Sequence, residues 1–161
     1  MQMRRFTQLP GLCLAILLSL LVGSTAAEPM DIVGTWDVTV RFPECTTACP
    51  CPGSEANIPI QGMHQYQPHG ALLEIPSTVF RGPGVGSWER VSKGQFAARF
   101  KFFFFDSEFV RIGSEEVTSH IRLTGPDNFE ATGTFDLFEP DGDPVQGSTG
   151  FSINAIATRF Q

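Results

Sequence analysis

Between residues 33 and 160 the apolar positions fall on alternate residues in short runs, and the runs end in glycine, proline, aspartate or asparagine. Alternation of period two marks a strand with one face on a core; a helix would bring its apolar residues together at three- and four-residue steps. The pattern predicts eight strands, over about 33–42, 57–66, 71–79, 85–92, 95–105, 109–124, 128–138 and 145–160. Several connections carry turn chemistry: Gln67-Pro68-His69-Gly70, Ser92-Lys93-Gly94, Gly125-Pro126-Asp127-Asn128 and the Asp141-Gly142 pair. Short loops between successive strands favour antiparallel neighbours. A meander of eight leaves two open edges unless it closes, so the expected fold is all-β, an eight-stranded antiparallel up-and-down barrel. A two-sheet sandwich is the alternative.

The same alternation assigns faces. On the fifth strand Phe96, Ala98, Phe100, Phe102 and Phe104 share the inward side, while Arg99, Lys101, Phe103 and Phe105 share the outward one. Elsewhere the inward sets are Trp36, Val38, Val40 and Phe42; Leu73 and Ile75; Val117, Ile121 and Leu123; and Phe129, Ala131, Phe135 and Leu137. The second strand is unusual, because His64 and Tyr66 fall in line with Ile58, Ile60 and Gly62. Small inward residues at Gly62, Ala98, Ala131 and Gly133 are expected to leave space among the large rings. Gly84, Gly86 and Gly94 read as bends that let strands coil around a barrel. Phe103 and Phe105 point outward and need a cover, either a loop, such as the cysteine-containing segment, or a second copy of the chain in a homo-oligomer.

Residues 1–27 stand apart from this pattern. Arg4 and Arg5 precede an apolar run of about eleven residues, Leu12 to Val22, which is too short to span ~30 Å of bilayer core as a helix. Small residues follow it, the layout of a secretory signal peptide cleaved after Ala26 or Ala27. The expected organisation is a signal peptide over 1–27 and one barrel domain over 28–161, secreted or periplasmic. Without the leader nine basic residues face 17 acidic ones, a net charge of −8. That balance disfavours nucleic acid as a partner, and membrane insertion after signal cleavage.

Gly34-Thr35-Trp36 stands at the head of the first strand, and Arg159 lies in the last. The chain thereby resembles the calycin barrels, lipocalins among them, which begin on G-x-W and pack a late arginine over the tryptophan. It is also similar to small secreted bacterial barrels related in outline to allene oxide cyclase, through the segment Arg81-Gly82-Pro83-Gly84-Val85-Gly86-Ser87-Trp88. The resemblance implies structural roles for Trp36 and Arg159 and either a ligand cavity or cyclase-type chemistry inside the barrel.

Cys45, Cys49 and Cys51 share the first long loop. In an exported chain they suggest a local disulfide, Cys45 with Cys51 or Cys49. His64 and Tyr66, two apart on one strand, lie ~6.5 Å from each other on one face and can both project inward. They can orient a ligand or, at His64, exchange a proton with it, so they are the candidate catalytic pair. Glu115 and Glu116 occupy opposite faces of one strand, and His120 belongs to an outer face. Phosphate-binding, zinc-protease and serine-elbow motifs do not occur, and no cofactor or metal is expected. These readings converge on a barrel that binds a small apolar molecule between Trp36, His64, Tyr66, Phe100 and Phe102. A cyclase-type enzyme and a non-catalytic envelope interaction protein are the alternatives.

Overall fold

The computed structural model describes residues 31–43 and 59–161. The expected signal peptide over 1–27 and the segment with Cys45, Cys49 and Cys51, and also Ile58, lie outside the described residues. Eight strands follow one another as β1 (Gly34–Arg41), β2 (Ile60–Tyr66), β3 (Ala71–Pro76), β4 (Gly84–Ser92), β5 (Gln95–Phe105), β6 (Arg111–Gly125), β7 (Asn128–Phe138) and β8 (Phe151–Arg159). Each is hydrogen-bonded antiparallel to the next, and β1 pairs with β8, so the sheet is a closed barrel with no free edge.

The two ends of the barrel differ. At the lower end the chain turns within a few residues after β2, β4 and β6. One of these turns is a single 3-10 turn at Pro68–Gly70 with His69 at φ 72°. The upper rim carries the longer connections, including 77–83 and 139–150. The eighth strand begins at Phe151 rather than near 145, because residues 145–150 belong to the rim: the Val145 N–H bonds Leu137 O, and Gly147 and Gly150 adopt positive φ.

A continuous core fills the lower half. Trp36 packs on Phe129 with ring centroids 4.9 Å apart, Tyr66 meets Trp88 and Phe129 edge-on, and Trp88 meets Phe96. The lower end is sealed around Arg159, whose guanidinium stands 4.2 Å from the Trp36 ring centre. Its NH groups donate to the carbonyls of Asp31, Val33 and Pro126. This explains Gly34: at φ +137°, a Cβ on it would sit 2.5 Å from the Arg159 guanidinium. Only glycine lets the arginine lie across the base of the barrel.

Two expectations about faces need correction. On β3 the inward residues are Leu72 and Glu74, 3% and 2% exposed, whereas Ile75 is 49% exposed and Leu73 half-buried. The cause is register: Tyr66 pairs with Leu72 and His64 with Glu74, and partners across a ladder share a face. The glycines expected to leave space do not do so. A Cβ on Gly133 would lie 2.1 Å from Thr118 O, and one on Gly62 would lie 3.0 Å from Ile75 O. These are places where backbones approach each other, as at Gly86, where a Cβ would lie 2.0 Å from Arg99 O.

Phe105 finds its cover within the same chain. Residues 80–82 run along the end of β5, with the Gly82 N–H on Phe103 O and the Phe105 N–H on Phe80 O, and the Phe105 ring lies against Gly82. Phe103 stays 41% exposed, with the Arg111 guanidinium 5.4 Å from its ring centre.

Candidate functional site

Above the packed floor the inward positions of β2, β3 and β6 become polar, with His64, Glu74 and Glu115, while β5 stays aromatic. His64 is buried between Tyr66 and Phe100: its Nδ1 and Tyr66 Oη are hydrogen-bonded at 3.3 Å, and the Phe100 ring meets it edge-on at 5.5 Å. Burial and the nearby charge of Arg81 hold the His64 pKa down to about 4, so the imidazole is neutral at pH 7. Tyr66 is likewise pushed above the ordinary phenol range by burial. The candidate pair is therefore an uncharged, mutually bonded couple.

The charges come from residues that the alternation did not single out. Glu74 projects inward from β3 next to His64, and Glu115 from β6 opposite Phe102 and Leu137. Arg81 arrives from the rim loop. The ladder bonds of residues 80–82 set Arg81 opposite the inward-facing Phe104, so its side chain enters the barrel. Its guanidinium stacks 3.7 Å from the centre of the Phe102 ring and stands 3.4 Å from Glu74 Oε1. A stacked, shielded guanidinium is worth ~1 kcal/mol or more, and its planar fork suits such a site better than a lysine.

Two carboxyls thus share one guanidinium. Burial raises the Glu74 pKa, against the opposing pull of Arg81 and the Gly84 N–H. Burial also pushes Glu115 up to about 7, with Arg81 working against the shift and Glu74 adding to it. Glu74 Oε2 and Arg81 Nε are buried without a hydrogen-bond partner among the described residues. Glu116, on the opposite face of β6, is held by Arg99 and Lys101 at the surface and takes no part. Among the described residues no three His, Asp or Glu side chains gather to hold a metal ion.

An apolar cleft of about 190 Å³ opens at the rim beside this cluster, lined by Phe104, Ile112, Ser114, Leu137, Phe138 and Val145. Phe104 forms both its wall and an edge-on contact, at 5.2 Å, with the Phe102 ring that carries Arg81. Two larger grooves, of about 360 and 380 Å³, lie on polar outer faces of the barrel.

The structure therefore brings His64, Tyr66, Phe100 and Phe102 together, with Phe102 nearest the rim. Trp36 stands directly across the β1–β2 ladder from His64, with its Nε1–H on Ile32 O at 2.8 Å and its face under Arg159. Sequence reasoning missed Glu74, Glu115 and Arg81. Glu115 was within reach of parity, being two before the inward Val117, and Glu74 follows from pairing β2 with β3 across the turn at 67–70.

No protein-family model matches the chain, and no curated protein matches it. Its fold is similar to that of a solved structure described as EF1p2_mFAP2b bound to DFHBI, at TM-score 0.52 and 14% identity over 80% of this chain and 93% of that one. A redesigned beta barrel, b11L5F_LGL, aligns at TM-score 0.36 and 15% identity over 80% of this chain and 91% of that one.

Proposed function

We propose that this protein is an exported barrel that binds a small, largely apolar molecule at its upper end. The observation that carries the reading is the apolar cleft of about 190 Å³ at the upper end of the barrel, beside the buried Arg81, Glu74 and Glu115. Ligand sites combine an apolar wall with a few convergent polar groups, and this arrangement has both. A similar fold holding a small molecule, EF1p2_mFAP2b with DFHBI, supports the reading at the level of the fold.

Mass spectrometry under native conditions, on protein purified from its own host, is expected to show a retained small molecule. Val145→Trp, which fills the cleft from a half-buried rim position, is expected to abolish that retention. Retention undiminished in the variant places the molecule elsewhere and refutes the site.

A second reading, cyclase-type catalysis on an apolar substrate, is favoured by Glu115. A buried carboxyl with a pKa of about 7 serves as proton donor and acceptor near neutrality, while His64 at about 4 is a weak base there. Turnover of a candidate substrate that survives His64→Ala and is lost in Glu115→Gln would establish it.

A further inference from the structure

We propose that the ligand is a hydrophobic amine, with its tail in the cleft between Phe104, Leu137 and Val145 and its ammonium group against Glu115. This rests on the small-molecule reading of the same site and names the class of ligand.

The argument begins with a count of charges inside the barrel. Glu74 and Glu115 are both inward and buried, and among the described residues one cation, Arg81, serves them. Arg81 is committed to Glu74, at 3.4 Å, and to the face of Phe102, at 3.7 Å. Glu115 feels Arg81 only at a distance and is repelled by Glu74. A buried carboxyl in that position recruits either a proton or a cation. Its place in the sheet puts it next to the cleft: it stands opposite Leu137, a wall of the cleft that shares its inward face. The Phe104 wall meets Phe102 edge-on, and Arg81 over Phe102 shows an aromatic face here accepting a cation.

Other head groups fit less well. A carboxylate would add a third anion beside two acids. A hydroxyl would leave the proton on Glu115 in place and complete no charge pair. An ammonium exchanges places with that proton: the amine enters charged, the Glu115 carboxyl loses H⁺ to the buffer, and an ion pair remains. The groups facing Glu115 are Arg81 from the rim loop, Glu74 from β3 with His64 of β2 behind it, Phe102 from β5 and Leu137 from β7. His64 stays neutral above about pH 5, leaving Glu115 as the proton that binding displaces.

The test is calorimetric titration of the mature chain with decylammonium, 1-decanol and decanoate, below their aggregation limits, in two buffers of different ionisation enthalpy. At pH 7.5 decylammonium is expected to bind at a stoichiometry near one and at least tenfold more tightly than decanol, with decanoate weakest. At pH 7 its binding is expected to release about half a proton. Glu115→Gln is expected to bring decylammonium down to the affinity of decanol and to abolish proton release. If decanol matches decylammonium in the unaltered chain, or if the preference survives Glu115→Gln, the amine assignment is wrong while the small-molecule reading stands. Binding of many decylammonium ions without a unit stoichiometry is attraction to the acidic surface and also refutes it. If none of the three probes binds, the small-molecule reading fails and takes the amine with it. Wild-type proton release at pH 7 is an independent readout should the variant fold poorly.

Discussion

Glu115 and His64 make opposite demands on pH. Between 4.5 and about 7 the folded chain keeps a proton on Glu115 that the unfolded chain has lost, so stability falls as pH rises through that window. His64 takes its proton near 6.5 when unfolded and only at about 4 when folded, so stability falls as pH drops from 6.5 toward 4. Each shift corresponds to ~3 kcal/mol, and over their shared range the two slopes offset. Removing the carboxyl should uncover the histidine slope. Glu115→Gln is expected to be more stable than the parent at pH 8 by ~1 kcal/mol or more and to lose stability more steeply below pH 6.5, read by urea unfolding at pH 5, 6.5 and 8. A variant less stable at pH 8 would contradict the buried, charge-poor setting of Glu115. Arg81 and Glu74 behave as a unit. Arg81→Met alone leaves a carboxylate buried without its cation and is expected to cost ~3–5 kcal/mol, whereas Arg81→Met with Glu74→Leu should recover most of that loss in the same assay.

At the scale of elements, two glycines hold strands closer together than any side chain permits. Gly86→Ala and Gly133→Ala would each drive a Cβ to about 2 Å from a facing carbonyl, against Arg99 O and Thr118 O. Both are expected to lower the melting temperature by 10 °C or more, roughly the effect of 2–3 kcal/mol on a domain of this size. Gly142→Ala, in open space but at φ +98°, should cost only ~1 kcal/mol of backbone strain. These glycines show what period-two reasoning could and could not see. Strand number, order and closure were legible because strands such as β5 and β7 alternate between core and solvent along most of their length. On β3 the outward Leu73 and Ile75 outnumber the inward Leu72, so hydrophobicity pointed to the wrong face and the pairing with β2 decided the matter. Arg81 was illegible for another reason: a loop has no period, and its inward aim comes from ladder bonds to β5 that no local pattern announces. The site was therefore half visible, in His64, Tyr66, Phe100 and Phe102, without the charges that give it chemistry.

For the whole molecule, closure is carried by the pairing of β1 with β8, in register from Trp36 opposite Arg159 to Arg41 opposite Asn154. Arg159→Ala removes the guanidinium from Trp36 and three backbone carbonyls from their donor, and is expected to cost ~2–3 kcal/mol and to raise hydrogen exchange first at the start of β1 and the end of β8. Exchange rising instead at the rim strands would show that the lower end is held by other means. The same seam sets an order of events during synthesis. Arg159 donates to Val33 O across 126 residues, so β1 has only one of its two neighbours until the last nine-residue strand is available. A ribosome that pauses before Phe151 therefore holds a ribbon with two sticky margins, and a chain truncated there should aggregate rather than fold.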